Sequence, residues 1–413
     1  MIRVEEALEL ILRSFSPLGL EKVGILDALG RVLGEDIAAP RDIPPKDNSA
    51  MDGYALRWQD TWGASPKSPV VLDVTEDIPA GHIPRIKISA GQAARIMTGA
   101  PIPAGANAVL RMEDSKKAGR RVRIMAEVKK GQDIRRAGED VQAGSLVIRR
   151  GTVVRPAEVG MLASLGRSFV FVHQRPVVAV LATGNELIDI DGPSSPWSII
   201  SSNSYSLTAQ VLECGAVPLQ LGIARDNRAD LIAKLRAASR ADIIISSGGV
   251  SVGDYDLVKD IMKEVGNRMQ FWQVAMRPGK PLAFGAIQGI PVFGLPGNPV
   301  SSMISFEQFV RPSLLKMMGH RDLFRMAVRA FLEEEVTKIP GARIFLRAVV
   351  RRDRDRFTVA TTGDQGSGIL TSMVRANGLI ILPEDVSTAR KGDEVTVQLL
   401  DRSLLQTPSP SYL

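Results

Sequence analysis

Hydrophobic spacing divides the chain into stretches of different texture. Val4, Leu8, Ile11, Leu12 and Phe15 recur at helical spacing, and Pro17 closes that predicted helix. From about Pro44 to Asp140 the pattern shortens to alternating runs, such as Val70 to Val74 and Arg85 to Ile88, separated by Gly and Pro. That texture predicts a β-rich region. A further helix is predicted after Pro156 and ends at Gly166, because Pro suits a first helical turn and Gly a helix end. From about Arg175 to Gly319, apolar strand runs (Val177 to Ala182, Val217 to Ile223, Ile243 to Ile245) alternate with helices at Ser204 to Gly215 and Ala229 to Ala238. The strand pair Leu282–Gly285 and Pro291–Gly294 follows. Such alternation predicts a doubly wound, parallel sheet covered on both faces. Strands return from Met326 to about Leu400, and the tail 403–413 is expected to be disordered.

Composition narrows the function. The 413 residues exceed one core, so about two to three domains are expected. The balance of 52 basic and 45 acidic residues, net +7, is mild for this length. Aromatics are only 5% and basic runs are short, which argues against a nucleic-acid partner. Lys116 to Arg121 reads as a solvated hairpin tip. Cys214 is the single cysteine, and His82, His173 and His320 are far apart, so neither a disulfide nor a structural zinc site is expected. Cys214 reads as a buried small residue rather than a nucleophile. Glu5, Glu6 and Glu9 are foreign to a secretory signal, and no apolar run reaches transmembrane length. A cytoplasmic protein without a membrane partner is the expectation. Chemistry must then run on carboxylates, hydroxyls, bases, backbone amides and bound ions.

Open parallel sheets bind ligands beyond the C-terminal ends of their strands. After Ile243 to Ile245 come Ser246, Ser247, Gly248, Gly249, Ser251 and Gly253, and then Asp254 and Asp256 lead into a helix. A glycine-rich turn between strand and helix aims backbone N–H groups at an anion, and the helix dipole adds to the pull. Asp256 opposes an anion unless a cation lies between them, and oxygen-rich sites that meet phosphates commonly hold Mg2+. The loop therefore points to a metal-bridged phosphate or oxyanion. The neighbouring strand ends carry Glu186, Asp226 and the stiff turn Pro296, Gly297, Asn298, Pro299 ahead of Ser301. Alone, Asp226 reads as a helix N-cap, Glu186 as a solvated loop residue and the proline turn as inert. Together, carboxylates on adjacent rims are costly unless a metal compensates. Arg277 and Lys280 suit a phosphate or oxyanion, beside the simpler reading of a solvated basic turn.

Further weak signals lie in the β-rich region. Asp47, Asn48, Ser49 and Asp52 crowd a turn that is dense in polar groups for a linker. Thr98 in RIMTGAPIP, and Glu139 and Asp140 in RRAGEDV, each sit on a Gly-bearing turn.

The segments DNSAMDGYAL, RIMTGAPIPAGANAV, RRAGEDV, ATGNEL, SSGGVSVGDYD, RPGKP, GLPGNPVSS and QGSGILTSMVRANGLIILPED, in this order along nearly the whole chain, resemble the MoeA-type molybdopterin molybdenumtransferase family, which includes the E domain of gephyrin. The resemblance implies a multidomain α/β plus β protein. A helical linker domain (1–43 with 141–174) would carry a β-rich insertion (44–140), followed by a central, mostly parallel α/β domain (175–322) and a β-barrel-like domain (323–402). It implies a homodimer in which the insertion of one subunit caps the α/β site of the other. It further implies the ligation of molybdate to adenylylated molybdopterin with release of AMP and a divalent cation, downstream of molybdopterin adenylyltransferase.

On that basis Gly248, Gly249, Ser251 and Lys280 are expected to hold pterin or adenylate phosphates, Ser247 to bind substrate, and Glu186, Asp226 and Asp256 to position Mg2+. Arg277, Pro296, Asn298, Pro299 and Ser301 are expected beside molybdate and pterin, with Asp52, Thr98, Asp140 and Glu186 in the catalytic set. The sequence departs from the family pattern at Arg277, where lysine is usual, and at Asn185, where aspartate is common. The adenylyltransferase shares the α/β domain but lacks the flanking β domains. A tungstate-specific relative stays open. A receptor-clustering scaffold is disfavoured, because no fused partner domain or long linker is visible.

Overall fold

A computed structural model describes residues 1–193, 195–225, 227–248, 271–353, 356–401 and 404. The expectations for Asp226, Gly249, Ser251, Asp256 and, apart from Leu404, the tail lie outside the described residues. The chain divides into two compact units, one made of Gly24–Asp27 and Glu35–Val170, the other of Met1–Val23, Ala28–Gly34 and Phe171–Leu413.

The first unit is built on a curled six-stranded sheet in the spatial order Ala108–Arg111, Gly53–Leu56, Gln92–Ile96, Val70–Ile78, Arg121–Ile124, Ser115–Ala118. Strand alternation buries both of its faces. Tyr54, Leu56, Leu110 and Val122 pack on one side and Ala55, Ala94, Ile96 and Val109 on the other. Gly53 is required where two strands meet, since a Cβ there would lie 1.8 Å from the Leu110 carbonyl oxygen. Lys116 to Arg121 bridges the antiparallel strands Ser115–Ala118 and Arg121–Ile124, as expected of a hairpin. The Arg85 to Ile88 run is not a strand, despite its alternation. Its amides are taken locally, those of Arg85 and Ile86 by the Glu76 carboxylate and that of Ile88 by Ala104 O.

The second unit holds a six-stranded sheet in the order Val217–Ala224, Val177–Thr183, Ile243–Ser247, Ile290–Leu295, Pro281–Ile287, Phe271–Gln273. The first four strands are parallel and the last two antiparallel. The sheet is mostly parallel, as expected, and its antiparallel edge has a local reason. Only Gln288 and Gly289 separate Ile287 from Ile290, with φ of 49° and 84°, so the connection is a tight hairpin with no room for a crossover helix. Val178, Val180, Ile243, Ile245 and Phe293 pack on one face, with helix Val4–Arg13 and Phe15 against them. Ala179, Leu181, Ile244 and Val292 fill the other. Chain order reverses between Val177–Thr183 and Ile243–Ser247, which opens a crevice at their C-terminal ends.

Beyond the sheet, Ala327–Leu332, Arg343–Asp353, Arg356–Thr361, Gly378–Leu382 and Glu394–Leu399 close a five-stranded barrel. Closure follows because Arg343–Asp353 pairs with both Arg356–Thr361 and Gly378–Leu382, leaving no open edge between them. Val328, Leu346, Ala348, Val359 and Val397 fill it. Met276–Arg277 pairs in parallel with Arg343–Ile344, which ties the RPGKP turn to the barrel.

Candidate functional site

In the first unit the weak motifs converge on one turn. Asn48 and Ser49 pair with Arg135 and Ile134, and Ser49 exchanges backbone bonds with Gly99 and Ala100. Asp47 accepts from Ala137 N at 2.8 Å and pairs with Arg136 at 2.5 Å. The bonds from Ala137 and Arg136 hold its carboxyl below the ordinary carboxylate range. One carboxylate oxygen of Asp52 accepts from both Thr98 N at 2.7 Å and Thr98 Oγ1 at 2.8 Å, and these bonds lower the Asp52 pKa. The Asp140 amide donates to Ile43 O, and its carboxylate is exposed.

In the second unit the crevice at the strand ends is a pocket of about 580 Å3. Thr183, Gly184 and Glu186 line it from one strand end and Ser247 and Gly248 from the next, with Pro296 to Pro299 on a third side. Leu187, Ile199 and Ile200 form an apolar wall. Gly248 has φ 89°, and a Cβ on it would meet Thr183 O at 2.6 Å, so this turn admits only glycine. Ser247 is buried and does not point freely at a ligand. Its Oγ accepts from Asn203 Nδ2 at 2.7 Å, and Asn203 Nδ2 also donates to Gly297 O at 2.8 Å. Glu186 is exposed at the pocket wall. Among the described residues no cluster of three or more His, Cys, Asp or Glu is assembled. A single carboxylate is still compatible with Mg2+, which is commonly held by one or two carboxylates together with substrate phosphate oxygens.

A second cavity, of about 660 Å3, adjoins the first and shares Pro281 and Asn298 with it. Arg277, Lys280 and Ser301 line it from the sheet side, and Lys338, Arg347 and Gln365 from the barrel side. Asn298 Nδ2 donates to Ser367 Oγ at 2.9 Å, which fixes the shared wall to the barrel. Arg277 and Lys280 are exposed, and Ser301 is buried.

Sequence reasoning missed Arg347. It is fully buried, with Nε donating to Ser372 Oγ and a terminal amine to Gly366 O, both at 3.0 Å. Burial lowers the pKa of its guanidinium, and no carboxylate among the described residues makes an ion pair with it. Lys338 is likewise lowered by burial, and Arg277 adds to the effect. Of the cavity's acids, Glu334 is engaged by Thr361 N at 2.7 Å and by Thr361 Oγ1. Arg277, Lys280, Lys338 and Arg347 against Glu334 and Glu335 leave the cavity lining net positive, the electrostatic setting for an anion. Cys214 lies elsewhere, and burial pushes its thiol up to about 12, far from a nucleophile.

A switch-point pocket joined to a cationic cavity under a β-barrel defines a multidomain α/β protein built to hold an anionic ligand at its strand ends. Residues 2–166 match the model of the MoeA N-terminal region (domain I and II), residues 179–316 that of a "probable molybdopterin binding domain", and residues 329–400 that of the MoeA C-terminal region (domain IV). A Mycobacterium tuberculosis protein named molybdopterin molybdenumtransferase 2 is 42% identical over 381 residues, covering 91% of this chain and 94% of its own. The Bacillus subtilis molybdopterin molybdenumtransferase is 35% identical over 404 residues, covering 97% of this chain and 94% of its own. The crystal structure of the molybdopterin biosynthesis MoeA protein from Pyrococcus horikoshii superposes with a TM-score of 0.81 at 34% identity, covering 97% of this chain and 100% of that one. The chain belongs to the MoeA family.

Proposed function

We propose that this chain is a molybdopterin molybdenumtransferase that inserts molybdenum, supplied as molybdate, into adenylylated molybdopterin and releases AMP. The observation that carries this reading is the cluster of cations lining one cavity beside Ser301, the exposed Arg277 and Lys280 with Lys338 and the buried Arg347. Burial of Arg347 outweighs the pull of Asp364 on it, a cost that an anionic ligand would reduce. The adjoining pocket, through Asn298 and Pro281, is large enough for the organic part of the substrate.

In this scheme Arg277, Lys280 and Arg347 hold the oxyanion, with Ser301 and Pro296 beside it. Gly248, Gly249, Ser251 and Lys280 hold the substrate phosphates, Ser247 orients Asn203 from beneath, and Asn298 and Pro299 shape the passage between pocket and cavity. Glu186, Asp226 and Asp256 are the residues that would bind Mg2+, which supplies charge neutralisation at phosphorus when bound. Asp52, Thr98 and Asp140 position a water or the cation. The protein works as a cytoplasmic homodimer organised in the four domains expected above, on substrate supplied by molybdopterin adenylyltransferase. The match across both flanking regions favours this activity over adenylyl transfer itself.

Replacing Arg347 by Met tests the cavity. The expected outcome is a molybdate KM raised at least about tenfold, the loss of one charge-assisted contact, with the KM for adenylylated molybdopterin little changed. An unchanged molybdate KM in a folded variant contradicts the oxyanion assignment.

A further inference from the structure

The pocket at the strand ends contains two oxygens without partners among the described residues. Thr183 is 6% exposed and Asn203 is 8% exposed, yet Thr183 Oγ1 and Asn203 Oδ1 are buried and meet no hydrogen-bond partner among the described residues. Both residues line the pocket. Buried polar atoms are nearly always satisfied, so two orphans in one pocket call for a ligand. Their environment narrows its chemistry. Asn203 spends its amide NH2 on Ser247 Oγ and Gly297 O, at 2.7 and 2.8 Å. Those bonds fix the orientation of the amide and leave the carbonyl oxygen, a pure acceptor, as the free end. An acceptor held this way selects a ligand that presents a hydrogen-bond donor. Leu187, Ile199 and Ile200 supply an apolar wall to the same pocket, which suits the flat face of a ring.

We infer that Asn203 Oδ1 and Thr183 Oγ1 read the exocyclic amine of a fused nitrogen heterocycle, so that Asn203 and Thr183 are specificity-determining residues of this pocket. The inference rests on the proposed function, whose substrate carries two such amines, one on the pterin and one on the adenine. Ser247 acts through Asn203 as a positioning residue. Replacing Thr183 by Val is a clean probe, because the swap keeps the β-branched shape and removes a hydroxyl that forms no bond among the described residues. A structural role for the hydroxyl predicts a lower melting temperature in the variant. A ligand-reading role predicts an unchanged or higher one, together with weaker discrimination.

The experiment is calorimetric titration of the full chain with two pairs of probes. One pair is AMP against purine riboside 5′-monophosphate, and the other is pterin against pteridin-4-one, each second member lacking the amine. The wild-type protein is expected to favour the amine-bearing member of one pair by about tenfold or more, and which pair does so identifies the source of the amine. Thr183→Val and Asn203→Ala are each expected to reduce that ratio at least about threefold, with the Thr183→Val melting temperature not lowered. Discrimination absent from both pairs, or preserved in both variants, overturns the inference. An effect of Asn203→Ala confined to Mg2+ affinity also overturns it. Molybdenum insertion that proceeds without amine discrimination sinks this inference alone, whereas absence of insertion sinks the functional reading beneath it.

Discussion

Asp52 shows how a single hydrogen-bonding pattern tunes a candidate catalytic carboxylate. Thr98 donates twice to one oxygen, so the ionised form is favoured and the pKa falls. Thr98→Val removes the hydroxyl bond and keeps the amide bond. The Asp52 carboxyl, followed by carbon NMR through a pH titration, should titrate higher in the variant but still below the ordinary range. An unmoved titration contradicts the assignment. Because the folded pKa is depressed, this contact stabilises the fold above the unfolded value and fades as pH falls through the folded one. At Gly248, substitution by Ala forces a positive φ on a residue with a Cβ and drives that Cβ against Thr183 O. A loss of about 1–3 kcal/mol is expected, read as a lower denaturation midpoint, and an unshifted midpoint contradicts the strain argument.

At this scale the sequence was legible where chemistry and punctuation coincide. Glu186, Ser247, Gly248 and Asn298, which line the strand-end pocket, stood out because glycines and prolines mark strand ends. Arg347 was hidden, since an arginine between Leu346 and Ala348 on an alternating strand reads as an ordinary outward-facing residue. Only the packing at Gly366 and Ser372 buries it. Thr183 and Asn203 were hidden by the same logic, as a small residue beside Gly184 and an amide in a first helical turn resembling capping chemistry.

Among the elements, helix Pro156–Ser164 was predicted from its proline and closing glycine, and the structure adds the reason it starts where it does. Glu158 reaches back to Arg155 N at 2.9 Å and pairs with the Arg155 side chain, which holds its carboxyl down to about 2. Glu158→Gln keeps an acceptor and loses the charge. With Arg155 largely exposed, the cost is expected to be at most about 1 kcal/mol at neutral pH. The depressed pKa dictates the sign. The melting-temperature difference between wild type and variant should be full above about pH 4.5, shrink as pH falls toward about 2, and vanish below it. A difference that persists in acid contradicts the electrostatic account. The Arg85 to Ile88 run and the Gln288–Gly289 hairpin went the other way. Alternation alone cannot say whether amides find a neighbouring strand or the Glu76 carboxylate, and a two-residue link decides topology before any periodicity does.

For the molecule as a whole, the order of strands and helices was readable, and the convergence of distant motifs was not. Asp47, Asp52, Thr98 and Arg136 meet through non-local pairing that no local pattern encodes. The proposed homodimer predicts a sedimenting mass twice the 44.6 kDa of the chain, and a monomer at working concentration contradicts it. Chelation with EDTA should abolish AMP release and added Mg2+ should restore it, whereas chelator-resistant turnover would remove the cation from the account. The most direct measurement is to mix the purified protein with adenylylated molybdopterin, molybdate and Mg2+, then quantify the AMP released and the molybdenum retained on the pterin. The account predicts that the two appear together in equal amounts. If AMP is absent and no molybdenum is retained, the central claim is wrong.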